Sequence, residues 1–238
     1  MLIIGHRGAR GEAPENTLSG FNYLKSLGVL ALELDIHVSK DEQLIVIHDD
    51  NLERTTTGVG LVKEQHAADL AALNACIYFK DWPHHDGVPL LKDVLALVSH
   101  FVHLQLEVKI TEAEDYVIVG RELNKLWPQF THRMVTTSFN TDYLAYMQQH
   151  YPHIQRGLLV EIDFTGNIIA TAQQLNCQLI APHHSLLHKT LIDTAHQQGL
   201  IVSTWTVNDA QRMQDLAAMG LDSLITDYPS LALKTLKI

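Results

Sequence analysis

The chain has no run of basic residues, and across its 238 residues the formal net charge is −10. That excludes nucleic acid as the expected main partner, and it argues equally against docking on anionic lipid. Cysteine is scarce. Cys76 and Cys177 stand alone in their stretches with no Cys-x-x-Cys pair, so two buried free thiols are expected rather than a redox or zinc motif. No apolar run approaches the length of a membrane span, and Met1 to His6 carry no basic region ahead of a long apolar stretch. The expectation is a soluble, cytoplasmic protein with no stable membrane association. Nothing in the pattern sets an oligomeric state. No Gly-x-Gly-x-x-Gly follows a strand-like run and no Walker loop occurs, which sets aside dinucleotide and P-loop chemistry.

What is present is ordinary globular material, 46% hydrophobic and 18% charged, in a length that one barrel domain commonly fills. Short runs rich in Val, Ile and Leu read as buried strands at 2–5, 31–38, 44–48, 102–108, 134–138, 156–160, 178–181, 200–207 and 223–226. Helical spacing fills 17–27, 91–99, 112–126, 141–150, 168–175, 187–198 and 209–219. Gly28, Gly199 and Gly220 stand just past three of these, where a left-handed cap is wanted. Alternation of this kind implies a parallel sheet with right-handed crossovers.

Nine runs are one too many for an eight-stranded barrel. Residues 39–43 are too few for a parallel crossover, so 31–38 and 44–48 should form an antiparallel hairpin. Removing the return strand leaves eight parallel strands. The expected fold class is α/β, a TIM (β/α)8 barrel, as a single domain over 1–238 with a small insertion after strand 2 at about 36–89. Within that insertion only 64–74 has a helical pattern.

The chemistry of such a barrel gathers at the C-terminal ends of its strands. There the chain places His6-Arg7-Gly8, Glu33-Leu34-Asp35, Glu107-Val108-Lys109, Trp205-Thr206-Val207-Asn208 and Thr226-Asp227. Strand residues two apart share a face, so Glu33 joins Asp35, and Glu107 joins Lys109, on the interior. Two readings fit three interior carboxylates. Either Arg7 and Lys109 pair with them and no metal is involved, or they hold a cation, and ligands that are all oxygen suit Mg2+ or Ca2+. With a hairpin centred between Asp41 and Glu42, His48 pairs opposite Asp35 and faces the site. His6 reaches the same mouth from strand 1. Two imidazoles suit acid–base work near neutral pH, and Arg7 and Lys109 suit phosphate. Of the 15 histidines, His84-His85 and His183-His184 are expected at the surface, with His183 open to a role because it follows a strand end.

These residues resemble the glycerophosphodiester phosphodiesterase family, in its bacterial cytoplasmic type. The matching blocks are His6-Arg7-Gly8 with Pro14-Glu15-Asn16-Thr17, then Glu33-Leu34-Asp35 with His48-Asp49. They continue with Leu52, Arg54-Thr55-Thr56, Gly58 and Gly60, then Glu107-Val108-Lys109, Trp205-Thr206-Val207-Asn208 and Ile225-Thr226-Asp227-Tyr228-Pro229. The family has a TIM barrel with an insertion after strand 2. The resemblance implies that Glu33, Asp35 and Glu107 bind one divalent cation and that His6 and His48 are the acid–base pair. It further implies that Arg7 and Lys109 bind phosphate and that Trp205 lines the alcohol pocket. Glu15 either supports the site or simply opens the first helix, which Asn16 or Thr17 caps. One departure lies outside this site: Pro89-Leu90-Leu91-Lys92-Asp93-Val94-Leu95 stands where the family often shows Pro-Thr-Leu-Glu-Glu-Val-Leu.

The implied reaction is hydrolysis of a small glycerophosphodiester to sn-glycerol 3-phosphate and an alcohol. A lysophospholipase D of the same type, a catalytically dead ligand-binding barrel and a metal-dependent sugar isomerase are the rivals. Arg7 and Lys109 beside two histidines favour the phosphodiester.

Overall fold

The computed structural model describes residues 1–110 and 112–238. Its strands are β1 (Leu2–His6), β2 (Ala31–Val38), β3 (Leu44–Val46), β4 (His103–Val108), β5 (Met134–Ser138), β6 (Arg156–Val160), β7 (Leu179–Pro182), β8 (Ile201–Thr204) and β9 (Ser223–Thr226). Their order is β1-β9-β8-β7-β6-β5-β4-β2-β3, and β1 also pairs with β2. Every pairing is parallel except β2 with β3. Setting β3 aside, the remaining eight strands close on themselves. The expected TIM barrel is borne out.

Helices α1 (Leu18–Ser26), α2 (Ala67–Ala71), α3 (Leu91–Leu97), α4 (Ala113–Leu126), α5 (Thr141–His150), α6 (Ile168–Gln174), α7 (Lys189–Gln197), α8 (Ala210–Ala218) and α9 (Pro229–Leu236) complete the order. Strand parity separates two kinds of core. Leu32, Leu34, Ile36, Leu104, Leu106 and Val108 belong to the main cluster between sheet and helices. The intervening residues turn inward. Some inward residues form small apolar clusters, Ile4, Ala31 and Ile225 and Val135, Leu159, Leu179 and Ala181. On β2 and β4 the inward residues toward the top are ionic. The register pairs Glu33 with Gln105 and Asp35 with Glu107, which puts the carboxylates of β2 and β4 side by side.

Turn chemistry behaves as expected at several points. Gly28, Gly199 and Gly220 take φ of 81°, 73° and 84° at helix ends. Thr17, not Asn16, caps α1, its hydroxyl accepting from the Gly20 N–H at 3.0 Å. Gly20 itself is a packing requirement: a Cβ there would lie 2.1 Å from the Pro14 carbonyl oxygen. Leu90 stands at the start of α3 and supplies no side-chain cap, which is the local consequence of its departure from the family pattern.

Three expectations need correction. The hairpin register is Ile36 with Val46 and Val38 with Leu44, so Asp35 lies across from Ile47 rather than His48. The turn is a three-residue loop with Glu42 left-handed at φ 59°, closed by Ser39 N–H to Gln43 O at 3.0 Å. An odd loop centres the hairpin on Asp41 and moves the pairing by one residue. Strand β3 then ends at Val46, ahead of His48. The helix expected at 64–74 shrinks to α2 because its flanks bond elsewhere: Thr57 N–H reaches Asn74 O at 3.0 Å and Ala75 N–H reaches Asp86 O at 2.7 Å. Finally, α9 was not expected, although Pro229 in its first turn is a starting signal. The segment between β2 and α3 has its own small core of Ile45, Ile47, Leu52, Val62, Leu70 and Val88.

At the opposite end from the ionic ring, His103 begins β4 and points inward. Gln105 Nε2 donates to His103 Nε2 at 3.2 Å and to Ser203 Oγ at 3.1 Å. Burial pushes the His103 imidazole down to about 4. Because the folded value lies below the usual 6.5, unfolding takes up a proton as the medium is acidified. Stability from neutral His103 is full above pH 6.5 and is lost between about 6.5 and 4, roughly 3 kcal/mol in all. Urea unfolding across that range should show His103→Gln losing less stability than the parent. An unchanged acid limb would refute it.

Candidate active site

His6 closes β1, and the chain turns left-handed directly after it, with Arg7 at φ 50° and Gly8 at φ 95°. A buried non-glycine residue in that region is uncommon and is held by its surroundings. Here the Arg7 N–H donates to Glu33 Oε2 at 3.0 Å. Its guanidinium donates through Nη1 to Glu15 Oε1 at 3.0 Å, and its Nε lies 3.2 Å from Asp35 Oδ2. The turn thus delivers Arg7 across the mouth of the barrel onto β2.

The His6 ring is fixed from behind. Its Nδ1 is 2.5 Å from Asp227 Oδ1 and its Nε2 is 3.9 Å from Glu33 Oε2. Asp227 follows β9 and is itself held: Asn208 Nδ2 donates to its Oδ2 at 2.8 Å, and its own N–H donates to Asn208 Oδ1 at 3.0 Å. Burial lowers the His6 pKa against the opposing pull of Asp227.

His48 reaches the same space by another route. With no strand beneath it, its backbone carbonyl accepts from His37 Nε2 at 2.9 Å, and its Nδ1 meets Asp49 Oδ1 at 2.6 Å. Burial lowers its pKa too, offset by Asp35. Each imidazole therefore has Nδ1 on an aspartate and Nε2 free. With Nδ1–H as the donor, the neutral ring offers Nε2 as a base.

Between them lie Glu33, Asp35 and Glu107, each offering an oxygen within 4.8 Å of the others. Lys109 Nζ binds Glu107 Oε1 and lies 3.3 Å from Asp35 Oδ1. Asn16 Nδ2 donates to Asp35 Oδ2 at 2.9 Å. Burial would raise the Asp35 carboxyl, but Arg7 and Lys109 hold it below the ordinary range. The other two behave differently. Burial and the neighbouring Asp35 push Glu33 well up, and they push Glu107 to about 7.

Two fixed cations do not balance three interior carboxylates, of which Glu33 and Asp35 are buried. Glu33 Oε1 is also buried without a hydrogen-bond donor, and Asp35 Oδ1 has only the Lys109 ion pair at 3.3 Å. An oxygen-only trio short of one or more positive charges fits a divalent cation, of the Mg2+ or Ca2+ kind rather than zinc.

A cavity of about 220 Å³ opens over this ring, lined by His6, Arg7, Glu33, His48, Glu107 and Lys109, with Phe139, Leu159 and Trp205 opposite. Trp205 is fixed by its indole N–H, which donates to Ala181 O at 2.7 Å, and its ring meets Phe139 edge-on at 5.3 Å. His183 packs against Trp205 at 5.3 Å and is half-buried, so it is not a plain surface residue, whereas His84 and His85 are exposed. A second cleft of about 420 Å³ shares Arg10 with the first and is walled by Tyr78, Phe79, Asp227 and Tyr228.

All the anticipated residues converge here except Glu15, which lies one layer behind Arg7. Arg7, Arg10 and Arg54 surround its carboxylate. Burial would raise it, but the Arg54 and Arg7 guanidinia hold it down at about 2. Asn16, Asp49, Arg54, Asn208 and Asp227 had been given no role in the site. All stood inside the matching blocks, and Asp49 and Asp227 each directly follow a residue of the site or a strand end.

The chain matches the Glycerophosphoryl diester phosphodiesterase family over residues 6–231. It is 29% identical to the glycerophosphodiester phosphodiesterase of Bacillus altitudinis, over 98% of this chain and 96% of that protein. It is 26% identical to the lysophospholipase D GDPD1 of Homo sapiens, over 95% and 83%. Among solved structures, an Oleispira antarctica phosphodiesterase in complex with the product sn-glycerol-3-phosphate superposes with a TM-score of 0.90. It is 28% identical and covers 100% of this chain and 97% of that one.

The charge imbalance has a measurable consequence. Mg2+ or Ca2+ at about a hundredfold over its dissociation constant should raise the melting temperature by roughly 5–10 °C. Glu107→Gln should melt higher than the parent without metal, since it removes a carboxylate already pushed up to about 7, and should lose the metal-induced rise. A rise retained in this variant would count against the site.

Proposed function

The chain belongs to the glycerophosphoryl diester phosphodiesterase family, and we propose that it hydrolyses glycerophosphodiesters to sn-glycerol 3-phosphate and an alcohol by acid–base catalysis at His6 and His48. One observation carries this reading. Two imidazoles, each held at Nδ1 by a separate aspartate, face the same carboxylate cluster with Nε2 free.

Glu33, Asp35 and Glu107 would hold one divalent ion, Mg2+ or Ca2+, which would supply positive charge against the charge developing on the phosphoryl group. Arg7 and Lys109 bind the non-bridging oxygens from the flanks of the trio. One neutral imidazole takes at Nε2 the proton of the nucleophile, which is water or the neighbouring glycerol hydroxyl; the latter gives a cyclic phosphate that water then opens. The other, protonated, gives a proton to the leaving alkoxide, a poor leaving group without one. Asp227 and Asp49 keep each ring in the tautomer that makes this possible.

Trp205, Phe139 and Leu159 form the apolar wall for the glycerol carbons. The alcohol arm extends into the cleft of Tyr78, Phe79 and Tyr228, which meets the cavity at Arg10. The protein acts as a single domain in the cytoplasm. The two buried free thiols fit a reducing compartment, and among the described residues no helix is long and apolar enough to cross a membrane.

A coupled assay for sn-glycerol 3-phosphate tests this with glycerophosphocholine and other headgroups, under EDTA, Mg2+ and Ca2+. Metal-dependent release is expected, and His6→Ala and His48→Ala should each lose about a hundredfold or more in kcat. Near-parental rates in both variants would sink the assignment. Because Tyr78 and Tyr228 are exposed at the mouth, lysophosphatidylcholine belongs in the panel. Faster cleavage of it than of glycerophosphocholine would move the chain to a lysophospholipase D reading.

A further inference from the structure

His48 has an unusual problem for a residue that must hold an imidazole in place. It lies beyond the last residue of β3, so no ladder of backbone hydrogen bonds fixes it. Asp49 grips its ring, but Asp49 is on the same irregular stretch. Whatever fixes Asp49 fixes His48.

Arg54 does so. One edge of its guanidinium forks the Asp49 carboxylate, Nε to Oδ2 and Nη2 to Oδ1 at 3.0 Å. The other edge forks Glu15, Nη1 to Oε2 at 2.9 Å and Nη2 to Oε1 at 2.8 Å. Glu15 sits in the loop between β1 and α1, and its Oε1 also accepts from Arg7 Nη1 at 3.0 Å. A continuous chain therefore runs His48–Asp49–Arg54–Glu15–Arg7. Its ends are the imidazole of the inserted segment and the guanidinium beside the carboxylate trio. Every link except the first is a charge-assisted pair of fixed plane and direction.

We propose that Arg54 is a positioning residue that sets His48 against Arg7, through Asp49 on one side and Glu15 on the other. The inference rests on the proposed diesterase reading, in which those two ends act on one phosphate. Arg54 does not itself touch the reacting atoms, since its nitrogens are taken up by the two carboxylates. Lysine carries the same charge but cannot make two forks at once.

The test uses the full-length protein with its metal. Arg54→Gln should lower kcat for glycerophosphocholine by about ten- to a hundredfold, because small misplacements of a reacting group cost this much. KM should change by less than about threefold on the same argument, since Arg7 stays bound to Asp35 and Glu33. Arg54→Lys should recover little, and added guanidinium should restore part of the activity of Arg54→Ala. In an Asp49→Ala background Arg54→Gln should cost little further, because the same link is already broken.

A readout independent of turnover is the His48 ring. Its 15N resonances should report the Nδ1–H tautomer in the parent and lose it in Arg54→Gln, while those of His6 stay put. Full kcat in Arg54→Lys, additive losses with Asp49→Ala, or an unmoved His48 tautomer would overturn the proposal. If the parent released no sn-glycerol 3-phosphate, the functional reading would fail, and the His48 resonances would still decide the role of Arg54.

Discussion

Three carboxylates packed onto adjacent interior faces are the constraint around which the upper half of this barrel is organised. Isolated buried carboxylates are costly, and nearby like charges raise the cost. Much of the surrounding chemistry is a response. Arg7 enters from the β1 turn in a left-handed conformation, Lys109 follows β4, and Asn16 leaves the cap position of α1 to Thr17 and reaches Asp35 instead. The response is incomplete. Glu33 and Glu107 remain pushed upward while Asp35 is pushed down. That residual imbalance is what a divalent cation would offset.

The barrel makes this arrangement inexpensive to specify. Parity sends every second residue inward, and a parallel register between β2 and β4 then places Asp35 beside Glu107 without any side chain having to search for the other. The same parity keeps Leu32, Leu34, Leu104 and Leu106 on the outer face, where they bury against the helices. Charge within and apolar packing without come from one alternation, so the fold and the carboxylate ring are two consequences of one sequence pattern.

That is why so much was legible from residues alone. Eight strands, the hairpin, Glu33, Asp35, Glu107 and Lys109 follow from period and spacing. His6 follows from its place at a strand end. His48 did not follow in the same way: its expected register was off by one residue, because nothing in Ser39-Lys40-Asp41-Glu42-Gln43 announces that Glu42 will turn left-handed. The bonds among Asp49, Arg54 and Glu15 were equally hidden. Residues 39 positions apart meet through side chains, and no periodicity encodes such a meeting. The matching blocks marked these residues as present without saying what they touch.

The two histidines are therefore fixed by different physics. His6 ends a strand in a closed sheet, and the aspartate behind it follows the neighbouring strand β9 and is doubly bonded to Asn208. Its position is inherited from the barrel and changes only if the barrel does. His48 stands on irregular backbone: His37 of β2 holds its carbonyl, and ion pairs that bridge the insertion and the first loop hold its ring. Charge-assisted forks supply direction as well as energy, so they can substitute for a ladder where the backbone has none. They also leave that half of the site half-exposed and free of the sheet's cooperativity. In the proposed reaction a phosphate on Arg7 and Lys109 would compete for the cations that steady Asp35 and, at Arg7, Glu15. Phosphate binding and the placement of His48 would then meet at Arg7, whereas the placement of His6 rests on the strand that carries it.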